Sequence, residues 1–229
     1  FSTIFRAPLT GILFALEIPY KKDVETEVFI PASMASVTAY LASTLTLGAE
    51  TLFPTHIFSL PTPTTLLHAV LLGVIVSLIA LAFMKALEKT GSVSRRLSNK
   101  YPMHVLSVCA GLILGVIGLF YPEVLGLGYD FIHKIAATTE LRQWALTALI
   151  AIVILKILAT SLTVSFGGSG GLFVPALYVG GVVGLIYAKL LNLAPATLYV
   201  ALAMAAMLAA TSKSLLTSIA LVAETVGPG

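Results

Sequence analysis

The residues with the most chemical content lie between two apolar stretches, in the run Ser165-Phe-Gly-Gly-Ser-Gly-Gly-Leu-Phe-Val-Pro175. Four glycines and Ser169 interrupt the hydrophobicity there, and an apolar segment resumes at once over 172–191. A helix that starts at this point presents backbone N–H groups with no partner inside the helix, at the positive end of its dipole. Such a terminus holds an anion without a full positive charge. Glycine lets the main chain approach an ion closely and adopt positive φ. Pro175 falls in the first turn, where a missing N–H matters least. The chemistry expected is anion binding by backbone amides around Ser169, Gly170, Gly171, Leu172, Phe173, Val174 and Pro175. Glycine content alone fits an ordinary interhelical loop as well.

Two further features bear on chemistry. Gly167-Gly168-Ser169-Gly170 fits the G-x-S-G pattern of rhomboid-type intramembrane serine proteases. That reaction needs a histidine base near the serine, which in that family follows on a later helix. Here His56, His68, His104 and His133 all precede Ser169, so enzymatic activity is not expected. Lys156 stands alone in the apolar stretch 144–164. A mid-span lysine costs about 2.5–3.5 kcal/mol on insertion scales and faces the protein interior or a cavity. It either adds positive potential for an anion or serves a structural contact to carbonyls or snorkels. Cys109 is the single cysteine, which excludes a disulfide framework and a cysteine-based metal site within one chain. No cofactor is expected.

The elements that position these residues are membrane helices. Hydrophobic residues make up 58% of the 229 and charged residues 10%, well below the roughly 25% of soluble domains. Lipid must therefore solvate much of the surface, and no basic cluster is dense enough to suggest nucleic acid. Apolar stretches recur over 4–16, 28–47, 66–87, 103–120, 144–164, 172–191, 196–210 and 215–223. The first and last are too short to cross a bilayer and read as partial-depth helices. Lys21 and Lys22, and then the basic residues of 88–102, mark cytoplasmic segments, with 48–65 external. Small residues such as Gly111, Gly115, Gly118, Gly180, Gly181 and Gly184 read as helix-packing positions. The chain opens inside a hydrophobic motif, without an initiator Met, and is expected to be a fragment of a longer protein.

The opening segment Arg6-Ala-Pro-Leu-Thr-Gly-Ile-Leu-Phe-Ala-Leu-Glu17 matches the closing segment Lys213-Ser-Leu-Leu-Thr-Ser-Ile-Ala-Leu-Val-Ala-Glu224. Leu9, Thr10, Ile12 and Glu17 pair with Leu216, Thr217, Ile219 and Glu224. Repeats built on short, interrupted helices point to a transporter whose site lies at the repeat interface.

Gly171-Leu-Phe-Val-Pro175 resembles the G-[IL]-F-x-P signature of the CLC chloride channel and chloride–proton antiporter family, and 6–17 resembles that family's A-P-L-x-G-x-L-F-x-x-E helix. Segment 213–224 matches its repeat, with Ser214 and Leu215 in place of Ala-Pro and Ser218 in place of Gly. Lys156 matches a basic position ahead of the signature, and Gly126-Leu-Gly-Tyr129 looks like a loop of bacterial members. The resemblance covers essentially all 229 residues. It implies an all-α integral membrane bundle of tilted and partial-depth helices with an internal inverted repeat, residues 1–229 being part of one pore domain. It also implies a multi-pass protein of a prokaryotic inner membrane, a homodimer with helices 4–17 and 212–224 at the interface, and chloride as the transported ligand, held by the amides of Leu172 and Phe173. The family's G-S-G-I-P segment, gating glutamate and late pore tyrosine are not in the chain. Proton-coupled members usually, though not always, carry two adjacent glutamates where this chain has Glu17 and Ile18. Isoleucine carries no proton, so a passive or voltage-gated channel is expected, with an antiporter as the alternative. The alternatives of another class are an intramembrane serine protease and a scaffold without a pore.

Overall fold

Proline marks the start of four helices, as its fixed φ and missing N–H favour. Pro8 and Pro63 occupy first helical positions, and Pro102 and Pro195 are N-caps. The structure, a computed structural model, describes residues 2–17, 19, 26–48, 62–126, 128, 131 and 144–226. Its helices are α1 (Ser2–Phe5), α2 (Pro8–Glu17), α3 (Thr26–Leu47), α4 (Pro63–Ser98), α5 (Met103–Phe120), α6 (Leu146–Ser165), α7 (Phe173–Leu190), α8 (Ala196–Ser212) and α9 (Leu215–Val226). A 3₁₀ turn, Pro122–Val124, follows α5. Helices α3 to α7 are long and apolar enough to cross a membrane, whereas α2, α8 and α9 are shorter apolar helices. Ile18, the basic pair Lys21 and Lys22, Tyr129 and most of the expected external segment lie outside the described residues.

The apolar stretch 103–120 becomes α5 with the same bounds. The 88–102 break does not: residues 88–98 continue α4, which runs for 36 residues. Lys, Arg, Glu and Leu are good helix formers, so a change from apolar to charged residues alters the solvent of a helix without ending it. The chain turns only at Asn99–Tyr101, ahead of Pro102.

The core gathers between α4, α6, α7 and α8. Tyr178, Leu177, Met204, Met207, Leu149 and Phe83 are fully buried there. Helix α7 is apolar all round, as a helix enclosed by others must be, and it lies antiparallel against α8. A methyl group on Gly184 would come within 2.3 Å of the Tyr199 carbonyl, and one on Gly180 within 2.6 Å of the Ala203 carbonyl. These two glycines therefore set the spacing of the pair. Gly111 and Gly115 have open space around them among the described residues, so the packing role expected for them does not arise within this bundle.

The repeat has a physical counterpart. Arg6 and Lys213 both adopt left-handed backbone conformations, with φ of 51° and 58°, just before α2 and α9. The Glu17 carboxylate then accepts hydrogen bonds from Leu216 N at 3.2 Å, Thr217 N at 2.8 Å and Thr217 Oγ1 at 2.7 Å. Glu224 accepts from Leu9 N at 2.9 Å, Thr10 N at 2.7 Å and Thr10 Oγ1 at 2.7 Å. Each short helix thus ends in the acid that caps the other's start, and the two must run antiparallel. Two groups of orphan N–H donors are satisfied by charge of the favourable sign.

Candidate anion site

The site is the seven-residue connection between α6 and α7. Helix α6 closes with Gly167 at φ 85° and with Gly168 N donating to Thr163 O at 2.8 Å, a Schellman-type end. A side chain on Gly168 would strike Thr163 at 2.7 Å. The adjacent glycines are thus required for different reasons, one for conformation and one for space. Two serines hold the last carbonyls of α6. Ser94 Oγ on α4 donates to Ser165 O at 2.7 Å. Ser107 Oγ on α5 lies 2.6 Å from Phe166 O and 2.9 Å from Met103 O, sharing its proton between them. The connection is anchored to two neighbouring helices before it turns.

It then crosses Ser169, Gly170 and Gly171, all exposed, and enters α7 with Leu172 as N-cap. The first intrahelical bond, Ala176 N to Leu172 O, spans 3.0 Å. The amides ahead of Ala176 belong to the helix start, and Pro175 contributes none. A cavity of about 330 Å³ opens beside this start. Ser169, Gly170, Gly171, Phe173, Val174 and Pro175 line it, together with Lys156, Thr160 and Thr163. Six of the seven residues expected from the sequence, and Lys156, therefore meet at one cavity; Leu172, the N-cap, is not among its lining residues. Glu17 does not reach this cavity; its carboxylate is engaged at the start of α9. Gly171 has no atom within 4 Å of where a Cβ would stand, so its bareness leaves room in the cavity wall and relieves no clash among the described residues.

Lys156 is 2% exposed and donates to Val124 O and Gly126 O, each at 2.8 Å. Its ammonium also stands 4.6 Å from the centre of the Tyr178 ring, a cation–π distance. Tyr178, fully buried, donates from its hydroxyl to Glu123 O at 3.0 Å. Lysine and tyrosine together pin the 122–126 turn to the cavity edge. A charge so placed still contributes positive potential to the cavity it lines.

Tyr178, Thr160, Thr163, Ser94 and Ser107 complete the site without belonging to any motif in the sequence. Tyr178 carried a signal, because a buried phenol in an apolar helix must find an acceptor. The serines carried none, since the carbonyls they hold at the end of α6 lie 59 and 71 residues away.

A family model described as voltage gated chloride channel matches residues 1–228. An uncharacterized protein of Methanocaldococcus jannaschii is 33% identical over 97% of this chain and 55% of its own length. The voltage-gated ClC-type chloride channel ClcB of Escherichia coli is 28% identical over 97% of this chain and 53% of its own. Chloride channel protein CLC-e of Arabidopsis thaliana is 29% identical over 84% of this chain and 29% of its own. The chain thus spans about half the length, or less, of the curated relatives it matches. Among solved structures, a CLC-type fluoride/proton antiporter superposes with a TM-score of 0.79 at 24% identity, over 99% of this chain and 55% of the antiporter. A slow cyanobacterial Cl⁻/H⁺ antiporter gives 0.81 at 22% identity, over 98% and 53%. The apolar helices make the chain an integral, multi-pass membrane protein with the helical fold of those transporters, and it belongs to the voltage-gated chloride channel (CLC) family.

Proposed function

We propose that this protein moves chloride, or a closely related small anion, across the membrane through a CLC-type pore, and does so passively. The observation that carries the reading is the start of α7: a glycine-rich connection, anchored at its base, opens into a helix N-terminus beside a cavity that also receives Lys156. Amides of Leu172 and Phe173 would hold the anion. Partial charges on backbone N–H groups attract it yet bind it loosely enough to release, as conduction requires. Thr160 and Thr163 add hydroxyl dipoles, although Thr163 Oγ1 already donates to Ala159 O at 2.8 Å. Passive conduction rests on Ile18, which stands where proton-coupled members of the family usually, though not always, carry a second glutamate. Exposed Leu9, Leu216 and Ile219 on the α2–α9 pair support a homodimer joined through that face.

The test is the full-length protein in chloride-loaded liposomes, with chloride efflux and external pH recorded together. Efflux without proton movement is expected. Efflux coupled to opposite proton movement would replace the channel with an antiporter, and absent efflux would leave a scaffold.

A further inference from the structure

Helix α4 carries a feature that anion passage does not use. Its 36 residues span about 54 Å at 1.5 Å per residue, against a hydrocarbon thickness of about 30 Å. Leu67, Val74, Leu78 and Leu81 share one exposed stripe along it, each more than half exposed. Lys85, Lys89 and Arg96 continue the same face, all seven residues falling within an arc of about 80°. Leu67 lies about 27 Å along the axis from Lys85, close to one hydrocarbon thickness. The stripe therefore turns from apolar to cationic where a bilayer turns from acyl chains to headgroups.

The cations are available. Lys85, Lys89, Arg95, Arg96 and Lys100 are all exposed, and none makes an ion pair among the described residues. Glu88 is the one acid in those 16 residues. Tyr101, 54% exposed, follows on the turn, an aromatic at the level where such rings sit in membranes. Net positive charge directly beyond a lipid-facing stripe fits the phosphate of a lipid that itself bears net negative charge.

We propose that the end of α4, from Lys85 to Lys100, is a docking face for anionic phospholipid headgroups. The acyl chains of the same lipid lie along Leu78 and Leu81, and the phosphate is shared by Lys85, Lys89 and Arg96. Arg95 lies about 80° or more around the helix from each of those three cations and contributes long-range charge.

The experiment uses the full-length protein in nanodiscs of phosphatidylcholine and phosphatidylglycerol, released gently and weighed with its retained lipid by native mass spectrometry. Wild type is expected to retain phosphatidylglycerol preferentially. Lys85→Gln with Lys89→Gln and Arg96→Gln should lower that preference at least about tenfold, as loss of several surface cations implies. Single Gln variants should give graded losses, and Lys85→Arg with Lys89→Arg should keep the preference. Equal retention in the triple Gln variant would overturn the proposal and assign these cations to water or to acidic groups elsewhere in the polypeptide. Displacement of the lipid by inorganic phosphate alone would overturn it in favour of a free-anion site. The readout is lipid retention, so it stands whether or not the protein conducts chloride.

Discussion

Replacing Glu224 by glutamine removes a charge and one acceptor oxygen from the start of α2. The two carboxylate oxygens divide the work: Oε1 takes Leu9 N, and Oε2 takes both Thr10 N and Thr10 Oγ1. A glutamine that keeps its oxygen on Thr10 turns an NH₂ toward Leu9 N–H, and donor meets donor. Loss of a cap costs about 0.5–2 kcal/mol, and loss of the charge at a helix N-terminus about 0.3–1 kcal/mol. Both groups are partly exposed, so the expected sum is about 1–2 kcal/mol. For a unit of this size that lowers Tm by about 2–8 °C. Glu17→Gln should do the same at the start of α9, where the bonding pattern is matched atom for atom. The two caps stand about 15 Å apart, the length of a ten-residue helix, so their effects should add. Thermal unfolding of the full-length protein in detergent, followed by circular dichroism, measures all three variants. An unchanged Tm in both single variants, or a double variant no worse than either single one, would refute the cross-capping argument.

Gly168→Ala should lower stability, because Thr163 occupies the space its methyl would need, whereas Gly171→Ala should fold normally and slow chloride efflux by filling the cavity wall; Tm and liposome flux separate the two. Ser107→Ala frees Phe166 O and should cost about 1 kcal/mol while raising the chloride concentration for half-maximal flux, with Ser107→Thr restoring it. Lys156→Met leaves Val124 O and Gly126 O without their donor, and should lower stability by about 1–3 kcal/mol along with flux. Gly184→Ala drives a methyl into the Tyr199 carbonyl and should destabilise α7 against α8 by about 1–3 kcal/mol, read as a lower Tm.

Hydropathy places the helices well, because burial in lipid or protein demands apolar residues along a whole span; α5 is the clearest case. It fails where that demand stops, at the end of α4, since charged residues leave a helix intact. Glycine, serine and proline between two apolar helices mark 169–175 as a candidate anion site, although glycine content alone fits an ordinary loop equally, and six of those seven residues line one cavity. The partners of Lys156 and of the two serines were not legible, for a carbonyl oxygen has no identity in a sequence. The repeat was visible as paired residues, but not the exchange of Glu17 and Glu224 between its halves. That exchange joins groups with no local relation, and only the antiparallel meeting of α2 and α9 brings them together.

That meeting orders assembly in time. The partners of the exchanged caps are 199 to 215 residues apart. At roughly 5–20 residues per second, ribosomal synthesis reaches Glu224 about 10–40 s after α2 is made. Until then α2 is a short apolar helix whose first amides lack their acceptor, in surroundings where unsatisfied donors are expensive. Helix α9 supplies that acceptor and receives its own from Glu17 in the same event. Insertion of α9 is thus the step that fastens α2, and a chain stopped before Glu224 would leave both caps open.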